Sequence, residues 1–211
     1  MLLRLNTIGA EVIEGLAPSF NYLPETEHLD GKYRLRRYSV VQCNGNRLPT
    51  PVGDNTFTQS DEYNKFQGNV TRQFEPIEPS VLNSIDMGVM CSMFQNMCRL
   101  PANQKIDIHQ MRVITLEDET PVSPEGVHQD GYDYICVVGV NRYNVTGGHF
   151  LAYLNRDEEP FMSLPLKPKL MIAINDRALW HNATSIKPVL GKDGYMDSFI
   201  LTAKVDDYAI D

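Results

Sequence analysis

Pro124-Glu125-Gly126-Val127-His128-Gln129-Asp130-Gly131 is the stretch from which the rest of this chain is read. His128 and Asp130 are two residues apart, and on extended backbone residues i and i+2 point to one face. An imidazole and a carboxylate are therefore presented side by side. Gly131 leaves no side chain next to them and permits a turn. The approach, residues 117–126, is rich in turn formers, and the chain beyond Gly131 is rich in β-formers. Strands are expected over 106–116, 132–140, 149–154, 170–175 and 198–205, separated by Gly, Asn, Asp and Pro turns. Many short strands with no alternating helices exclude a parallel α/β sheet and point to a closed roll. The fold class expected is mostly β with supporting helices, a double-stranded β-helix (jelly roll, cupin-like).

One helix precedes these strands. Ser80 is placed to cap it and Pro101 to stop it. Between them Leu82, Ile85, Val89, Met93, Met97 and Leu100 recur at helical spacing. The Met-rich stripe reads as packing against the sheet rather than as a ligand surface, because a sheet face must be covered. No repeat, low-complexity tract or linker interrupts the chain. Residues 1–211 are read as one domain, with an N-terminal α/β portion and the supporting helix in 1–100 and the jelly-roll core in 101–211. The segment 44–55, with two prolines, two glycines and three asparagines, is the loop expected to move most.

The bulk properties narrow the partners. The chain of 211 residues carries a net charge of -8, which disfavours nonspecific contact with phosphate backbones or anionic membranes. The short basic run Lys32, Arg34, Arg36, Arg37 alternates with Tyr33 and Leu35 and reads as a strand. A small molecule is the expected partner, with no nucleic acid and no membrane, while self-association stays open. Cys43, Cys91, Cys98 and Cys136 form no CxxC pair and read as buried thiols. The N-terminus has no charged segment followed by an apolar one, so a cytoplasmic protein is expected. No apolar stretch approaches the length of a membrane span.

A third ligand to join His128 and Asp130 is offered by His181, which follows an apolar run and Trp180. Two histidines and a carboxylate on one face of an octahedron leave open positions, the arrangement of non-haem Fe(II) oxygenases. A closed zinc site would show more Cys or His. Spacing alone leaves two readings open: an iron site, or a chance H-x-D pair with an unrelated histidine. His109 shares a strand face with Asp107 and Met111, and reads as a hydrogen-bonded residue lacking a third ligand. His149, after Gly147-Gly148, is placed to point into the roll beside the metal ligands. His28 lies in a charged loop.

Several motifs in order resemble one family. They are Tyr33-Arg34-Leu35-Arg36-Arg37-Tyr38-Ser39, Thr58-Gln59-Ser60-Asp61-Glu62-Tyr63-Asn64, Arg72-Gln73-Phe74-Glu75-Pro76, Pro124 to Gly131, Asn144-Val145-Thr146-Gly147-Gly148, Asn175-Asp176 and Trp180-His181. Nearly the whole chain resembles the bacterial 2-oxoglutarate/Fe(II) dioxygenases that hydroxylate free L-amino acids, typified by L-isoleucine dioxygenase. The resemblance implies a jelly roll, Fe(II) held by His128, Asp130 and His181, and 2-oxoglutarate and O2 as co-substrates. It implies decarboxylation of 2-oxoglutarate to succinate coupled to C–H hydroxylation, with the protein orienting the C–H bond and excluding water.

One position departs from the pattern. Family members carry arginine where Met196 stands in Gly194-Tyr195-Met196-Asp197-Ser198-Phe199, and its planar fork grips the far carboxylate of 2-oxoglutarate. Methionine has no donor. Arg112, Arg142, Lys187, Lys192 and Arg177 are candidates to replace the clamp, with Arg112 and Arg142 placed best by their strands and Ser198 able to donate one bond. The same departure opens two other readings: an iron oxygenase or cupin-like enzyme that does not use 2-oxoglutarate, and a non-catalytic metal-binding module. For the substrate, Tyr63, Asn64 and Arg72 read as pocket-mouth contacts or as braces between the N-terminal portion and the roll.

Overall fold

The computed structural model describes residues 2–43, 48–63, 66–116, 119–191 and 193–205. Part of the loop expected to move, 44–47, lies outside the described residues, as do Asn64 and Lys192. In chain order the elements are β1 (Leu3–Thr7), α1 (Ala10–Leu16), a 3-10 turn (Ala17–Tyr22), β2 (Arg34–Gln42), β3 (Thr50–Pro51), β4 (Thr56–Phe57) and β5 (Arg72–Gln73). There follow α2 (Pro79–Leu82), α3 (Ile85–Cys98), β6 (Lys105–Ile114), β7 (Tyr134–Tyr143), β8 (Val145–Gly147), β9 (His149–Tyr153) and β10 (Met162–Pro165). The last are β11 (Leu170–Asn175), β12 (Trp180–Ala183), β13 (Ile186–Pro188) and β14 (Tyr195–Ala203).

A seven-stranded sheet runs β1-β11-β7-β14-β6-β2-β3, and every pair in it is antiparallel. A smaller sheet, β10-β9-β12, forms the opposing layer of the jelly roll. The large sheet therefore draws β1 and β2 from the N-terminal portion. Its two faces differ as period-2 strands require. One face buries Ile106, Ile108, Cys136, Val138, Phe199 and Leu201 against α1 and α3. The other face looks into the roll. All four cysteines are buried free thiols.

The supporting helix departs from the expected one in start and face. Pro79 opens only the short α2, and the long helix begins afresh after Ser84. Ser84, not Ser80, is the cap: its Oγ accepts from the Met87 amide at 3.1 Å. The buried stripe is Met87, Met90, Cys91, Phe94, Met97 and Cys98, while Ile85 is 75% exposed. The stripe is rotated because Met, Cys and Phe fill the core, and Ile85 and Val89 face outward. The Met-rich face does pack against the sheet. Ser84→Ala should lower stability by about 1 kcal/mol in denaturant unfolding. Ser80→Ala, at an exposed position one residue inside α2, should change it little.

Paired residues across β2, β6, β14 and β7 lay out the inner wall as a grid. Arg34, Val113, Met196 and Arg142 form one row, and Arg36, Met111, Ser198 and Gly139 the next. Tyr38, His109, Ile200 and Val137 form the third. A bulge between Asp197 and Ser198 skips Val140. It shifts the parity of β7, so Arg142 shares the inner face with Gly139 and Val137.

Candidate metal centre and its cavity

His128 and His181 exchange both backbone hydrogen bonds, at 3.0 and 2.9 Å, as one antiparallel pair at the edge of the small sheet. Directly opposed residues carry their side chains on one face, so the imidazoles lie together, ring centres 4.3 Å apart. Asp130, two residues along, joins that face. Its carboxylate stands 3.4 Å from His128 Nε2 and 3.6 Å from His181 Nε2. One donor atom from each of the three lies within 4.8 Å of the others.

Surrounding groups fix the donors. His128 Nδ1 donates to the Gly126 carbonyl at 2.7 Å, which turns Nε2 toward Asp130. The His181 ring stacks on Phe150, 8° from parallel. Gln59 Nε2 donates to Asp130 Oδ1 at 2.8 Å. Asp176 accepts at Oδ2 from the amides of Asp130, Gly131 and Tyr132 at 2.9, 2.9 and 3.2 Å, and so pins the turn after the motif. Gly131, at φ +84°, lies under the Tyr63 ring, where a Cβ would sit 2.9 Å from ring carbons. Any larger residue there would meet both strain and a clash.

The electrostatics suit a cation. Burial, then the charge on His128, pushes His181 down to about 3, so it is a neutral nitrogen donor. Burial would also depress His128, but the Asp130 carboxylate and then Glu125 overcome it and hold His128 up at about 9. The pair thus holds a proton where a divalent ion would sit. A carboxylate and two imidazole nitrogens converging from one side, with a cavity on the other, fit Fe(II) with open positions.

The cavity runs from this triad along the inner wall. Met196, Ser198, Ile200 and Thr202 line it, so the expected shared face of Met196 and Ser198 holds. Arg142 sits behind this wall. Its guanidinium donates to the Gly147 carbonyl at 2.6 Å and lies 3.0 Å from the Met196 sulfur. A Cβ on Gly148 would meet that sulfur at 2.7 Å and Arg142 Nη1 at 2.8 Å. Burial alone, with no carboxylate beside it among the described residues, pulls the Arg142 guanidinium down.

Other candidates fall elsewhere. Arg112 is on the opposite face, bound to Asp197 at 2.7 and 2.8 Å and stacked 4.0 Å over Tyr195, away from the cavity. Arg177 pairs with Asp133, and Lys187 with Glu119 at 3.3 Å. His149 points outward to Ser163 at 3.2 Å rather than into the roll, because Phe150 takes the inward position. Tyr63 covers Gly131 without lining the cavity, whereas Arg72 lines it and is 1% exposed. Asp107 accepts from the hydroxyls of Tyr38 and Tyr132 at 2.7 and 2.6 Å. His109 faces the cavity with Nδ1 unpartnered, not hydrogen-bonded as its strand position suggested.

A family model described as 2OG-Fe dioxygenase matches residues 17–202. The chain belongs to the 2OG-Fe dioxygenase family. Fe(II), 2-oxoglutarate and O2 are the cofactor and co-substrates of this family, and its members are oxidoreductases. No curated protein matches the chain. The crystal structure of a bsmA homolog from Methylobium petroleophilum PM1 is 21% identical, covers 97% of this chain and 88% of that one, and superposes at a TM-score of 0.81. IDO from Bacillus thuringiensis is 17% identical, with 96% and 91% covered and a TM-score of 0.73. The Fe(II)/(alpha)ketoglutarate-dependent dioxygenase TqaL is 16% identical, with 96% and 78% covered and a TM-score of 0.67. These likenesses establish the jelly-roll fold of the family. No helix among the described residues is long and apolar enough to cross a membrane.

Sequence reasoning passes over Gln59, Glu125 and Asp176, although each lies in a family-like motif. Their roles are tertiary. Gln59 reaches Asp130 across 71 residues and Asp176 reaches the motif across 44 to 46.

Proposed function

We propose that this enzyme hydroxylates a small, amino-acid-like molecule, with Fe(II) held by His128, Asp130 and His181. The convergence of these three donors on one cavity that all of them line carries the reading. Bound Fe(II), with 2-oxoglutarate and O2, supplies the oxidising chemistry. The chain's own residues position it. Gln59 and Asp176 hold Asp130 and its turn. Arg142 and Ser198 take the far carboxylate of 2-oxoglutarate in place of the arginine that Met196 displaces. Phe150, Leu166 and Ile200 keep water from that end. The chain acts as one domain, since β1 and β2 complete the sheet that forms the inner wall. Four buried thiols without a disulfide support a cytoplasmic location.

The rival without 2-oxoglutarate is motivated by Met196 alone. Arg142 weakens it, because a guanidinium without a carboxylate partner among the described residues lies against the Met196 sulfur from the neighbouring strand.

The test is succinate formation in air from protein loaded anaerobically with Fe(II), given 2-oxoglutarate and a panel of free amino acids. Wild type should exceed a His128→Ala control, and at least one amino acid should raise the yield further. Succinate no higher than in that control would show the reading to be wrong.

A further inference from the structure

The β2 side of the cavity carries more positive charge than its carboxylates balance. Arg34, Arg36 and Arg72 all line it. Arg34 is paired, with Asp30 at 2.6 Å and Glu125 at 3.2 Å. Arg36 is not closely paired: Asp30 is 3.9 Å away, and its side-chain bond goes to the Met111 sulfur at 3.5 Å. Arg72 donates to the neutral Gln59 at 3.2 Å, and its Nε has no partner although the residue is buried. Asp130 is committed to the triad. Burial, then Arg34 and Arg72, pushes Arg36 down to about 9. Buried guanidiniums without a close carboxylate are costly, and an anionic ligand would satisfy them.

His109 completes the group. Its Nδ1 is buried and unpartnered, and its ring is wedged between Tyr38 and Phe57, 4.6 Å from each. Burial, then Arg36 and Arg72, keeps the imidazole neutral, so it can donate one hydrogen bond without adding charge. Arg72 lies over the Phe57 ring at 5.0 Å and Arg36 over the Phe74 ring at 5.4 Å, so both guanidiniums rest against aromatic faces. The seat is also close to the triad. Arg72 and Asp130 share Gln59 as a common neighbour, at 3.2 and 2.8 Å.

We infer that Arg36, Arg72 and His109 form a seat for the substrate's carboxylate, separate from the part of the cavity lined by Met196 and Gly148. The substrate class is then a carboxylic acid, amino acids included, held by its acid group with a nearby C–H turned to the triad. This rests on the hydroxylase reading above. A carboxylate at this seat has two conceivable sources, the substrate and the far end of 2-oxoglutarate, and the experiment separates them.

Zn(II)-loaded protein saturated with 2-oxoglutarate is titrated calorimetrically with isovalerate and with 3-methylbutylamine, which has the same skeleton and no acid. Isovalerate should bind and the amine should not. Arg36→Met and Arg72→Lys should weaken isovalerate roughly tenfold to a hundredfold, since each removes a charged fork. Far-UV circular dichroism and thermal melting of Arg36→Met and Arg72→Lys at the titration temperature should show folded protein, so a loss of binding there is not unfolding. No isovalerate binding, tighter binding of the amine, or an isovalerate affinity that falls as the 2-oxoglutarate concentration is raised would each overturn the seat. The Fe(II) absorption band on adding 2-oxoglutarate is read separately. Its absence in wild type would sink the hydroxylase reading and leave the isovalerate result standing on its own.

Discussion

Asp130→Asn should cut Fe(II) affinity by more than roughly a hundredfold, the upper range for losing a residue that merely supports a ligand. Succinate formation should fall to background. The amide keeps the shape of the carboxylate and can still accept from Gln59 Nε2, so the fold should survive. What disappears is the anion between two imidazoles. That has a second readout in metal-free protein. His128 is held at about 9 against its burial chiefly by Asp130, so in the variant its titration should move down. The same proton makes metal binding pH-dependent. An ion must displace it from Nε2, so wild-type affinity should climb by up to about tenfold per pH unit below pH 9 and flatten above. In metal-free protein the sign for stability is the reverse. A folded-state value above the ordinary 6.5 stabilises the chain fully below 6.5, and that contribution is lost as pH rises through about 9. Asp130→Asn should remove most of this slope. A variant that binds Fe(II) like wild type, measured by chelator competition, would dismantle the assigned centre.

The parts of the molecule legible in sequence are those set by local spacing. β11 begins and ends at the expected residues because an apolar run is bounded by turn formers on both sides. His128 and Asp130 share a face because period 2 is a property of any strand. The helix is legible as an element but not in its face, since Pro79 and Ser80 mimic a start that Ser84 supplies. Arg34 and Arg36 lie on the expected strand, yet their burial runs against the usual rule that charge faces water. Only the facing cavity, with Asp30 and Glu125 beside it, accounts for them. Arg142 is the hardest to place. Counting alternate residues along β7 from Ile135 puts residue 142 on the outer face. The bulge opposite Asp197/Ser198 reverses that parity, and no local pattern in β7 announces it. Arg112, by contrast, obeys simple alternation with Met111 and Val113 and so faces away.

That bulge is what makes Arg142 testable against Met196. The two are directly paired on adjacent strands, with guanidinium and thioether in contact. If Arg142 grips the far carboxylate of 2-oxoglutarate, Arg142→Met should weaken 2-oxoglutarate roughly a hundredfold in an anaerobic Fe(II) absorption titration, as losing a buried charged partner does. Met196→Arg alone should help little, since it crowds a second guanidinium against Gly148, where Arg142 Nη1 already lies 2.8 Å from the place a Cβ would take. The double change Arg142→Met with Met196→Arg moves the cation across one hydrogen-bonded strand pair and exchanges the thioether for it. It should restore most of the lost affinity, because the carboxylate again meets one fork in one place. Gly148 should be intolerant of Ala in either background, as its backbone has φ +62° and its missing Cβ is the space these two side chains share. Wild-type affinity in Arg142→Met would assign the clamp elsewhere, and failure of the double change to recover would mean that position 196 no longer faces the co-substrate in this chain.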